Sequence, residues 1–358
     1  MIKVLIADDS VIYRSQIRAA FANNPDIEVV GAASNGRLAI ERLHQSPVDL
    51  LVLDLEMPEM DGLQTLQEIK KLNLKVKVLV FSSVSKRGAE ITLEALRLGA
   101  TDFITKPNST DVVDKNQQPS DRIRDAIVPK VMALFPHIKQ QTTAPIKKGN
   151  YSPIIWELFN PQAVVIGSST GGPTVLESIF SKLAPPLKCP IFIAQHMPPV
   201  FTKTLAERLS KTSGLKVVEA QHGQKVENGC VYVAPGDFHM TVVGTKLTAT
   251  IHLDQGPLVN SVRPAADLLF NSVAEIYKDK TLGFILTGMG ADGKLGCETI
   301  KLQHGAVMIQ SAATCVVYGM PGAVEASGAF DRIGSPDEMI HFFHDKLTGQ
   351  KNKTTMAS

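Results

Sequence analysis

The stretch AVVIGSSTGGP, residues 163–173, contains the pattern from which the fold of this chain is predicted. Residues 163–166 are four apolar residues, as expected of a strand that is buried on both faces of a parallel sheet. The glycines that follow allow a tight turn, and Pro173 suits the first turn of a helix. A strand, a tight turn and a helix together form the repeating unit of an α/β sheet.

The same unit recurs along the whole chain, with amphipathic stretches between many of the apolar runs. The runs predict strands at residues 2–7, 27–32, 50–53, 76–81 and 102–105, and then at 163–166, 191–194, 216–219, 230–234, 282–286 and 306–309. Residues 239–251, with Gly244-Thr245 in their middle, predict a β-hairpin inserted in the second half. We therefore predict an α/β protein with two doubly wound parallel-sheet domains joined by a linker.

The two halves are separated by a polar segment. Residues 126–156 contain no acidic residue, and residues 138–150 (IKQQTTAPIKKGN) contain Pro, Gly and three lysines. This composition is typical of an exposed linker, and an ordered loop packed between the domains is the alternative. The sequence thus predicts four parts: a first domain at 1–125, a helix end and linker at 126–160, a second domain at 161–349, and a disordered tail at 350–358.

Length and composition exclude several classes of protein. At about 150 residues per domain, 358 residues predict two domains, and 44% hydrophobic with 20% charged residues is typical of a globular protein. The net charge of +2 argues against a dedicated nucleic-acid binder. No uncharged apolar run approaches the roughly 18 residues of a membrane helix. The four widely spaced cysteines are typical of reduced thiols, so we expect a cytoplasmic protein that does not insert into the membrane.

Four segments of the first half bring charged or hydroxyl side chains to one edge of the predicted sheet, where ligands of parallel sheets bind. These side chains are Asp8, Asp9, Asp54, Ser82 and Lys106. Three neighbouring carboxylates repel each other unless a cation joins them, and oxygen ligands suit Mg²⁺. One carboxylate could then accept a phosphoryl group, whose oxygens the metal and Lys106 would neutralise. Solvated loop acids without a shared role are the alternative.

Taken together, these residues resemble the receiver domain of two-component response regulators over residues 1–125. The matching motifs are DD at 8–9, DLEMPEMDG at 54–62, SS at 82–83 and KP at 106–107. The resemblance implies a flavodoxin-like fold, phosphorylation of Asp54 by a partner histidine kinase, and Ser82 and Lys106 as switch residues. It also implies a Mg²⁺ site with these ligands: Asp8, Asp9, Asp54 and the backbone carbonyl of Glu56.

The second half contains a candidate nucleophile, Ser169. Residues 167–171, GSSTG, match the nucleophile-elbow pattern G-x-S-x-G, in which a tight turn exposes the serine at the sheet edge. Backbone N–H groups at the start of the following helix would face a developing negative charge. An anion-binding loop or a plain turn is the alternative for so short a pattern.

A serine nucleophile requires a base and an acid that orients the base. His196 directly follows a predicted strand and therefore lies on the same edge as Ser169, whereas His304 precedes a strand and lies on the opposite edge. Asp292 lies in the loop TGMGADG (287–293), which also follows a strand. The order Ser169, His196, Asp292 differs from the serine, acid, histidine order of α/β-hydrolases, so that fold is disfavoured.

The same loop also spells G-x-G-x-x-G, a pattern found at dinucleotide sites. That pattern is weak by itself, and the chain lacks the ribose-binding acid expected about 20 residues further on. We therefore favour a loop that presents Asp292 and the backbone amide of Met289.

Residues 161–345 resemble the catalytic domain of the chemotaxis protein-glutamate methylesterases, a family in which a receiver domain comes first. The matching motifs are GSSTGG (167–172), QHMPPVFT (195–202), VAPGDFHM (233–240), VNSVRPAADLLF (259–270), ILTGMGADG (285–293) and CVVYGMP (315–321). Two positions depart from the family pattern, because Ser168 stands where alanine is usual and Leu258 replaces a common proline. Alignment on S-T-G-G still selects Ser169.

This resemblance implies a serine hydrolase that removes methyl groups from glutamate methyl esters of chemoreceptors and deamidates receptor glutamines. Ser169, His196 and Asp292 would form the catalytic triad, with the backbone amides of Thr170 and Met289 as the candidate oxyanion hole. The ester chemistry would need no cofactor. The receiver would cover the esterase cleft until Asp54 is phosphorylated, and the protein is expected to be a monomer.

Two other classes of function remain as alternatives. A receiver-controlled DNA-binding regulator is disfavoured by the near-neutral charge and by the lack of a basic recognition helix in the second half. An inactive scaffold that keeps the fold for protein interaction is disfavoured by the intact Ser169, His196 and Asp292.

Overall fold

The computed structural model describes residues 1–107, 118–136, 151, 154–156, 158–183 and 185–348. The linker predicted at 138–150 and the tail predicted at 350–358 lie outside the described residues. The chain divides into two compact units, residues 1–142 and 143–358, which are taken in turn below.

The first unit contains a parallel sheet of five strands in the order β2-β1-β3-β4-β5. The strands are β1 (Ile2–Ala7), β2 (Ile27–Ala33), β3 (Leu50–Asp54), β4 (Lys77–Ser82) and β5 (Asp102–Thr105). The helices are α1 (Val11–Phe21), α2 (Gly36–Gln45), α3 (Gly62–Lys71), α4 (Lys86–Leu98) and α5 (Pro119–Leu134). This strand order is that of the flavodoxin-like sheet, so the predicted fold of the first half is confirmed.

Short polar residues begin four of these five helices. Ser10, Asn35 and Ser85 accept hydrogen bonds from backbone amides at the starts of α1, α2 and α4. Asp61 forms a capping box with Gln64 at the start of α3. Because each cap follows a strand end within a few residues, the loops at the carboxyl edge are short and their side chains are held in place.

The second unit contains a parallel sheet of seven strands in the order β14-β13-β12-β6-β7-β9-β8. Its strands are β6 (Ala163–Ser168), β7 (Ile191–Gln195), β8 (Lys216–Glu219), β9 (Cys230–Val233), β12 (Thr281–Ile285), β13 (Ala306–Gln310) and β14 (Arg332–Gly334). Its helices are α6 (Gly172–Phe180), α7 (Phe201–Ser213), α8 (Ala266–Tyr277), α9 (Lys294–Leu302), α10 (Gly319–Ser327) and α11 (Pro336–Phe343). The predicted second parallel-sheet domain is thereby confirmed.

The predicted hairpin is formed by β10 (His239–Val243) and β11 (Thr250–Asp254), which make a separate two-stranded antiparallel sheet. Its inward-facing residues belong to the same hydrophobic cluster as the buried face of α8, for example Met240 and Val242 with Leu269 and Phe270. The Val242 amide also donates a hydrogen bond to the Ser272 hydroxyl on α8, at 3.0 Å. The hairpin therefore covers a helix of the second unit and does not extend the main sheet.

Strand β14 is missing from the predicted strands. It is three residues long and pairs with β13 at the edge of the sheet. Three residues, of which the first is charged, offer no periodicity that could be recognised from the sequence. Among the described helices, none is long and apolar enough to cross a membrane.

Candidate functional site

The carboxyl edge of the first sheet brings the predicted acids together. One oxygen from each of Asp8, Asp9 and Asp54 lies within 4.8 Å of the other two. Asp8 and Asp54 are buried, whereas Asp9 is exposed. Lys106 Nζ lies 2.8 Å from Asp54 Oδ2 and 3.2 Å from Asp8 Oδ2.

Burial makes these carboxylates costly to ionise. Burial raises the pKa of Asp54 to about 6. The nearby Lys106 acts to lower this pKa, and the charge of Asp8 acts to raise it further. Burial likewise raises the pKa of Asp8. Buried, desolvated oxygens that converge in this way fit a small divalent cation, since a cation would supply the charge that Lys106 alone does not. The acidic cluster therefore fits the Mg²⁺ that receiver domains bind.

Two aromatic rings hold Lys106 at this edge. Its Nζ lies 4.7 Å from the ring centre of Tyr13 and 5.5 Å from that of Phe81, and the two rings meet edge to face. Cation–π contacts of this kind favour a charged lysine. Sequence reasoning missed Tyr13, because nothing local to residues 11–21 shows which turn of α1 faces the lysine.

The two remaining predicted residues of the first unit also lie at this edge. Ser82 is buried at the end of β4, and its hydroxyl is 2.7 Å from that of Thr92 on α4. Glu56 lines the same small pocket as Asp54, Ser82 and Lys106, and its amide donates to Asp54 Oδ1 at 3.4 Å.

In the second unit, β6 ends at Ser168 and α6 begins at Gly172, so Ser169 lies in the turn between them. Gly171 has φ +78°, a conformation that favours glycine. A side chain on Gly172 would overlap the Gln195 amide oxygen. Both glycines are therefore required for the strand to turn into the helix this tightly.

The backbone of Ser169 is held on both sides. Its N–H donates to the Thr287 carbonyl at 3.1 Å, and its own carbonyl accepts from Gly172 N at 2.8 Å and Gln195 Nε2 at 3.0 Å. Its hydroxyl makes no hydrogen bond to any residue of the described part of the chain. The turn therefore fixes the main chain and leaves the hydroxyl available.

His196 lies beside Ser169 because β6 and β7 are adjacent. Ser168 and Gln195 are paired across the two strands, and His196 N donates to the Ser168 carbonyl at 3.0 Å. Residues 169 and 196 are thus the next residues of two strands that lie about 4.8 Å apart. His196 Nε2 is 2.8 Å from Asp292 Oδ2, which leaves Nδ1 as the ring nitrogen for the serine.

No hydrogen bond joins the Ser169 hydroxyl to His196 within the described residues. Such catalytic contacts are often long in the absence of substrate and tighten when it binds.

Asp292 is buried and accepts four hydrogen bonds. Besides His196, the donors are the backbone amides of Ala266 (2.6 Å) and Asp267 (3.1 Å) at the start of α8, and Asn260 Nδ2 (3.0 Å). Burial alone would raise the pKa of Asp292, but the hydrogen bond and charge of His196, with the two amides, hold that pKa below its usual value. The group is therefore a carboxylate at neutral pH.

The candidate oxyanion residues, Thr170 and Met289, are close to Ser169 in the chain or next to a residue that packs against it. Thr170 follows Ser169 directly and is buried, and Met289 is about one-third exposed. A Cβ on Gly288 would lie 2.8 Å from Ser169 Cβ, so the backbone that leads into Met289 packs directly against the serine. His304, by contrast, precedes β13 at the amino edge of the sheet.

Sequence reasoning missed three polar residues that build this edge, of which Gln195 and Thr287 are buried and Asn260 is exposed. Gln195 accepts from the Ser168 hydroxyl at 2.6 Å, in addition to its bond to the Ser169 carbonyl. The Thr287 hydroxyl donates to the Thr170 carbonyl at 2.9 Å. Asn260 contacts Asp292 from a distant loop. Gln195 and Thr287 lie at or near strand ends, where polar residues are common. No local sequence pattern indicates that Asn260 contacts Asp292.

Two family models together match most of the chain. Residues 164–343 match the CheB methylesterase family, and residues 4–116 match the response regulator receiver domain.

Individual relatives are similar over nearly the whole length. A protein-glutamate methylesterase/protein-glutamine glutaminase of a Nocardioides species is 40% identical over 339 residues, 93% of this chain and 92% of that protein. The protein of the same name from Thermotoga maritima is 40% identical, over 93% of this chain and 95% of its own. The crystal structure of the Thermotoga maritima CheB methylesterase catalytic domain is 45% identical, covering 50% of this chain and 97% of that one, with a TM-score of 0.49.

Proposed function

Since this chain belongs to the CheB methylesterase family and carries a response regulator receiver domain, we propose that it is a receiver-controlled protein-glutamate methylesterase and protein-glutamine glutaminase. It hydrolyses γ-glutamyl methyl esters to glutamate and methanol. It also deamidates glutamine, because ester and amide lead to the same acyl intermediate. The observation that carries this proposal is the hydrogen bond between His196 and Asp292 beside the turn that presents Ser169.

The reaction follows from the protonation states that these contacts favour. His196 donates a hydrogen bond from Nε2–H to the Asp292 carboxylate and keeps that proton, so its Nδ1 lone pair is free to accept the Ser169 proton. Ser169 Oγ then attacks the ester carbonyl, and Asp292 stabilises the imidazolium that results. His196 then gives this proton to the methoxy oxygen as the bond from the carbonyl carbon to that oxygen breaks and methanol leaves; with a glutamine, it protonates the amide nitrogen, which leaves as ammonia. A water molecule, activated in the same way, releases glutamate from Ser169.

The developing oxyanion needs hydrogen-bond donors. Our candidates are the backbone amides of Thr170 and Met289, each of which would contribute on the order of 3 kcal/mol of transition-state stabilisation. The close packing of Gly288 against Ser169 supports the second of these.

In the receiver, Asp54 is the phospho-acceptor. The proposed Mg²⁺ ligands are Asp8, Asp9, Asp54 and the backbone carbonyl of Glu56. When bound, Mg²⁺ neutralises charge that develops on the transferred phosphoryl group. Lys106, already 2.8 Å from Asp54, would hold a phosphoryl oxygen, and Ser82 would act as the second switch residue.

The proposed biological setting follows from the family. The substrates are methyl-accepting chemoreceptors, and the phosphodonor is a chemotaxis histidine kinase. The protein acts in the cytoplasm as a monomer without nucleic acid, with a receiver at 1–125 and a catalytic domain at 161–349. Phosphorylation of Asp54 relieves inhibition of the esterase by the receiver.

Adjacent serines make the nucleophile assignment directly testable. Ser169→Ala should abolish methanol release from methylated receptor, because it removes the proposed nucleophile from the turn beside His196. Ser168→Ala is the matched control and should retain measurable turnover, since the Ser168 hydroxyl is buried and bonded to Gln195. Turnover by Ser169→Ala, combined with an inactive Ser168→Ala, would reject the assignment.

A further inference from the structure

We propose that Asn260 is a positioning residue that fixes the Asp292 carboxylate for its partnership with His196. Asn260 Nδ2 lies 3.0 Å from Asp292 Oδ1, while His196 Nε2 lies 2.8 Å from Asp292 Oδ2. The two side chains therefore hold opposite oxygens of one carboxylate. This inference rests on the proposed function, because it assigns Asn260 a role in that same reaction.

The four hydrogen bonds on Asp292 fill its acceptor positions. Oδ1 receives Asn260 Nδ2 and the amide of Asp267, and Oδ2 receives His196 and the amide of Ala266. A carboxylate has about four lone-pair sites, so no further donor is needed. Two of the donors are backbone amides of α8, which remain whatever the side chain at those positions unless proline replaces the residue. Among the described residues, Asn260 is the one side chain besides His196 that orients this carboxylate.

Asn260 is itself anchored by a second buried carboxylate. Its Nδ2 also donates to Asp267 Oδ2 at 2.8 Å, and Asp267 Oδ1 accepts from the amide of Gly296 at 2.8 Å. Asp267 is 3% exposed. One amide group thus bridges two buried carboxylates, which ties the loop that carries Asn260 to α8 and to the first turn of α9.

The backbone around Asn260 forms a tight turn that presents the amide. Val259 and Val262 exchange both backbone hydrogen bonds, at 3.2 and 3.0 Å, and the two residues between them have φ +52° (Asn260) and φ +64° (Ser261). This is the geometry of a type I′ turn, which needs positive φ at both central positions. Asparagine tolerates such a conformation, whereas serine adopts it less readily. Backbone strain of this kind is typical of functional sites.

Without the Asn260 amide, Asp292 Oδ1 keeps only one backbone donor, and Asp267 Oδ2 loses its partner. The carboxylate is then freer to rotate away from His196, so the imidazole is held less firmly for proton transfer. Because Asn260 acts through Asp292, we expect kcat to fall about 10- to 100-fold, the usual effect of removing an orienting partner. KM for methylated receptor should stay within about twofold.

The variant Asn260→Gly distinguishes the effect of the side-chain amide from the effect of the backbone turn. Glycine is at ease at φ +52°, so this variant keeps the turn and removes the donor. Ser261→Gly is the matched control, because it relaxes the neighbouring position and leaves the amide in place. The expected result is a large loss of kcat in Asn260→Gly and full kcat in Ser261→Gly. Ser261→Gly should melt at or above the wild-type temperature, whereas Asn260→Gly should fold but melt at a lower temperature, because two buried carboxylates each lose a donor. Wild-type kcat in Asn260→Gly would overturn the inference.

The role through Asp292 is tested by a double-mutant cycle. In an Asp292→Ala background, Asn260→Gly should cause no further loss of kcat. An equal loss in that background would mean that Asn260 acts elsewhere, which would also overturn the inference. The downfield proton resonance of the His196–Asp292 hydrogen bond gives an independent readout, and it should shift or broaden in Asn260→Gly but not in Ser261→Gly.

Two further variants separate a failure to fold, and a failure of the proposed function, from a failure of this inference. If Asn260→Gly does not fold, Asn260→Ser replaces it, because serine is already accommodated at φ +64° in the same turn. Ser169→Ala, measured in the same assay, tests the proposed function itself. An active Ser169→Ala would reject that function, whereas an inactive Ser169→Ala with a fully active Asn260→Gly would reject only the role of Asn260.

Discussion

At the scale of single residues, the position of Ser169, the proposed nucleophile, depends on the absence of a side chain at Gly288. Gly288 has no side chain, and its Cα therefore lies against Ser169 and the Met320 sulfur. The Ser169 N–H and carbonyl are hydrogen-bonded as well. Ser169 thus has little freedom to move away from a side chain that is added at residue 288.

Gly288→Ala should therefore disturb catalysis strongly. The added methyl would lie 2.8 Å from Ser169 Cβ, and a displacement of about 1 Å at a reacting group costs on the order of 100-fold in rate. Overpacking should also destabilise the fold by about 1–3 kcal/mol. Gly322→Ala on α10 is the control, since its methyl would meet only the Tyr318 ring edge. Methanol release and thermal unfolding measure the two effects, and normal activity in Gly288→Ala would contradict the packing argument.

The acidic cluster leads to a pH dependence at the same scale. Burial raises the pKa of Asp54 to about 6, and Mg²⁺ binds the ionised form. Protons should therefore compete with Mg²⁺ as the pH falls through 6, so that the apparent affinity drops about tenfold per pH unit below it. Above about pH 7 the affinity should be constant. Calorimetric titration of the full chain between pH 5 and 8 measures this, and Asp54→Asn should flatten the dependence. Equal affinity of the unmodified chain at pH 5 and 7 would exclude it.

At the scale of elements, one buried ion pair joins a helix to the edge of the catalytic sheet. Lys301 on α9 contacts Asp331, which precedes β14, at 2.5 Å, and both side chains are almost fully buried. Asp331 also accepts from the amide of Val307 on β13, at 2.8 Å. The pair therefore holds the short edge strand to its neighbours. The backbone hydrogen bonds of a three-residue strand would hold it only weakly by themselves.

Lys301→Ala should destabilise the second unit by about 3–5 kcal/mol, because Asp331 would remain as a buried charge without its partner. Trp156, the one tryptophan of the chain, lies in this unit, so its fluorescence in urea reports the unfolding. Lys71→Ala, which removes an exposed pair with Glu68, should leave that transition unchanged. If Lys301→Ala lowers the free energy of unfolding by less than about 1 kcal/mol, the ion pair is not needed for the stability of the second unit.

At the scale of the whole molecule, the proposed function predicts that phosphorylation of Asp54 in the first unit controls the activity of the second. Acetyl phosphate with Mg²⁺ should raise methanol release by the full chain, and Asp54→Asn should remove that increase while keeping basal activity. Deleting residues 1–150 should raise basal activity, because the inhibiting receiver is lost. Equal stimulation of Asp54→Asn, or lower activity in a folded fragment, would contradict receiver control.

Much of this organisation could be predicted from the sequence because it rests on local patterns. Buried strands of Val, Ile and Leu, each followed by a turn and a helix, predict parallel sheets, and the ends of such strands lie at one edge. Asp8, Asp54 and Lys106 could therefore be grouped, as could Ser169, His196 and Asp292. The fold class and the family are confirmed, while the catalytic roles and the domain limits remain predictions to be tested by the variants above.

The sequence by itself determined the two sheets, their polar edges and the family, because strand periodicity, turn residues and motifs are properties of neighbouring residues. Only the tertiary structure decided which polar groups hold the reactive ones: Tyr13 on Lys106, Gln195 and Thr287 on the serine turn, and Asn260 on Asp292. Each of these contacts joins segments that are far apart in sequence. Their distance and direction depend on strand order and helix packing, to which no local pattern corresponds.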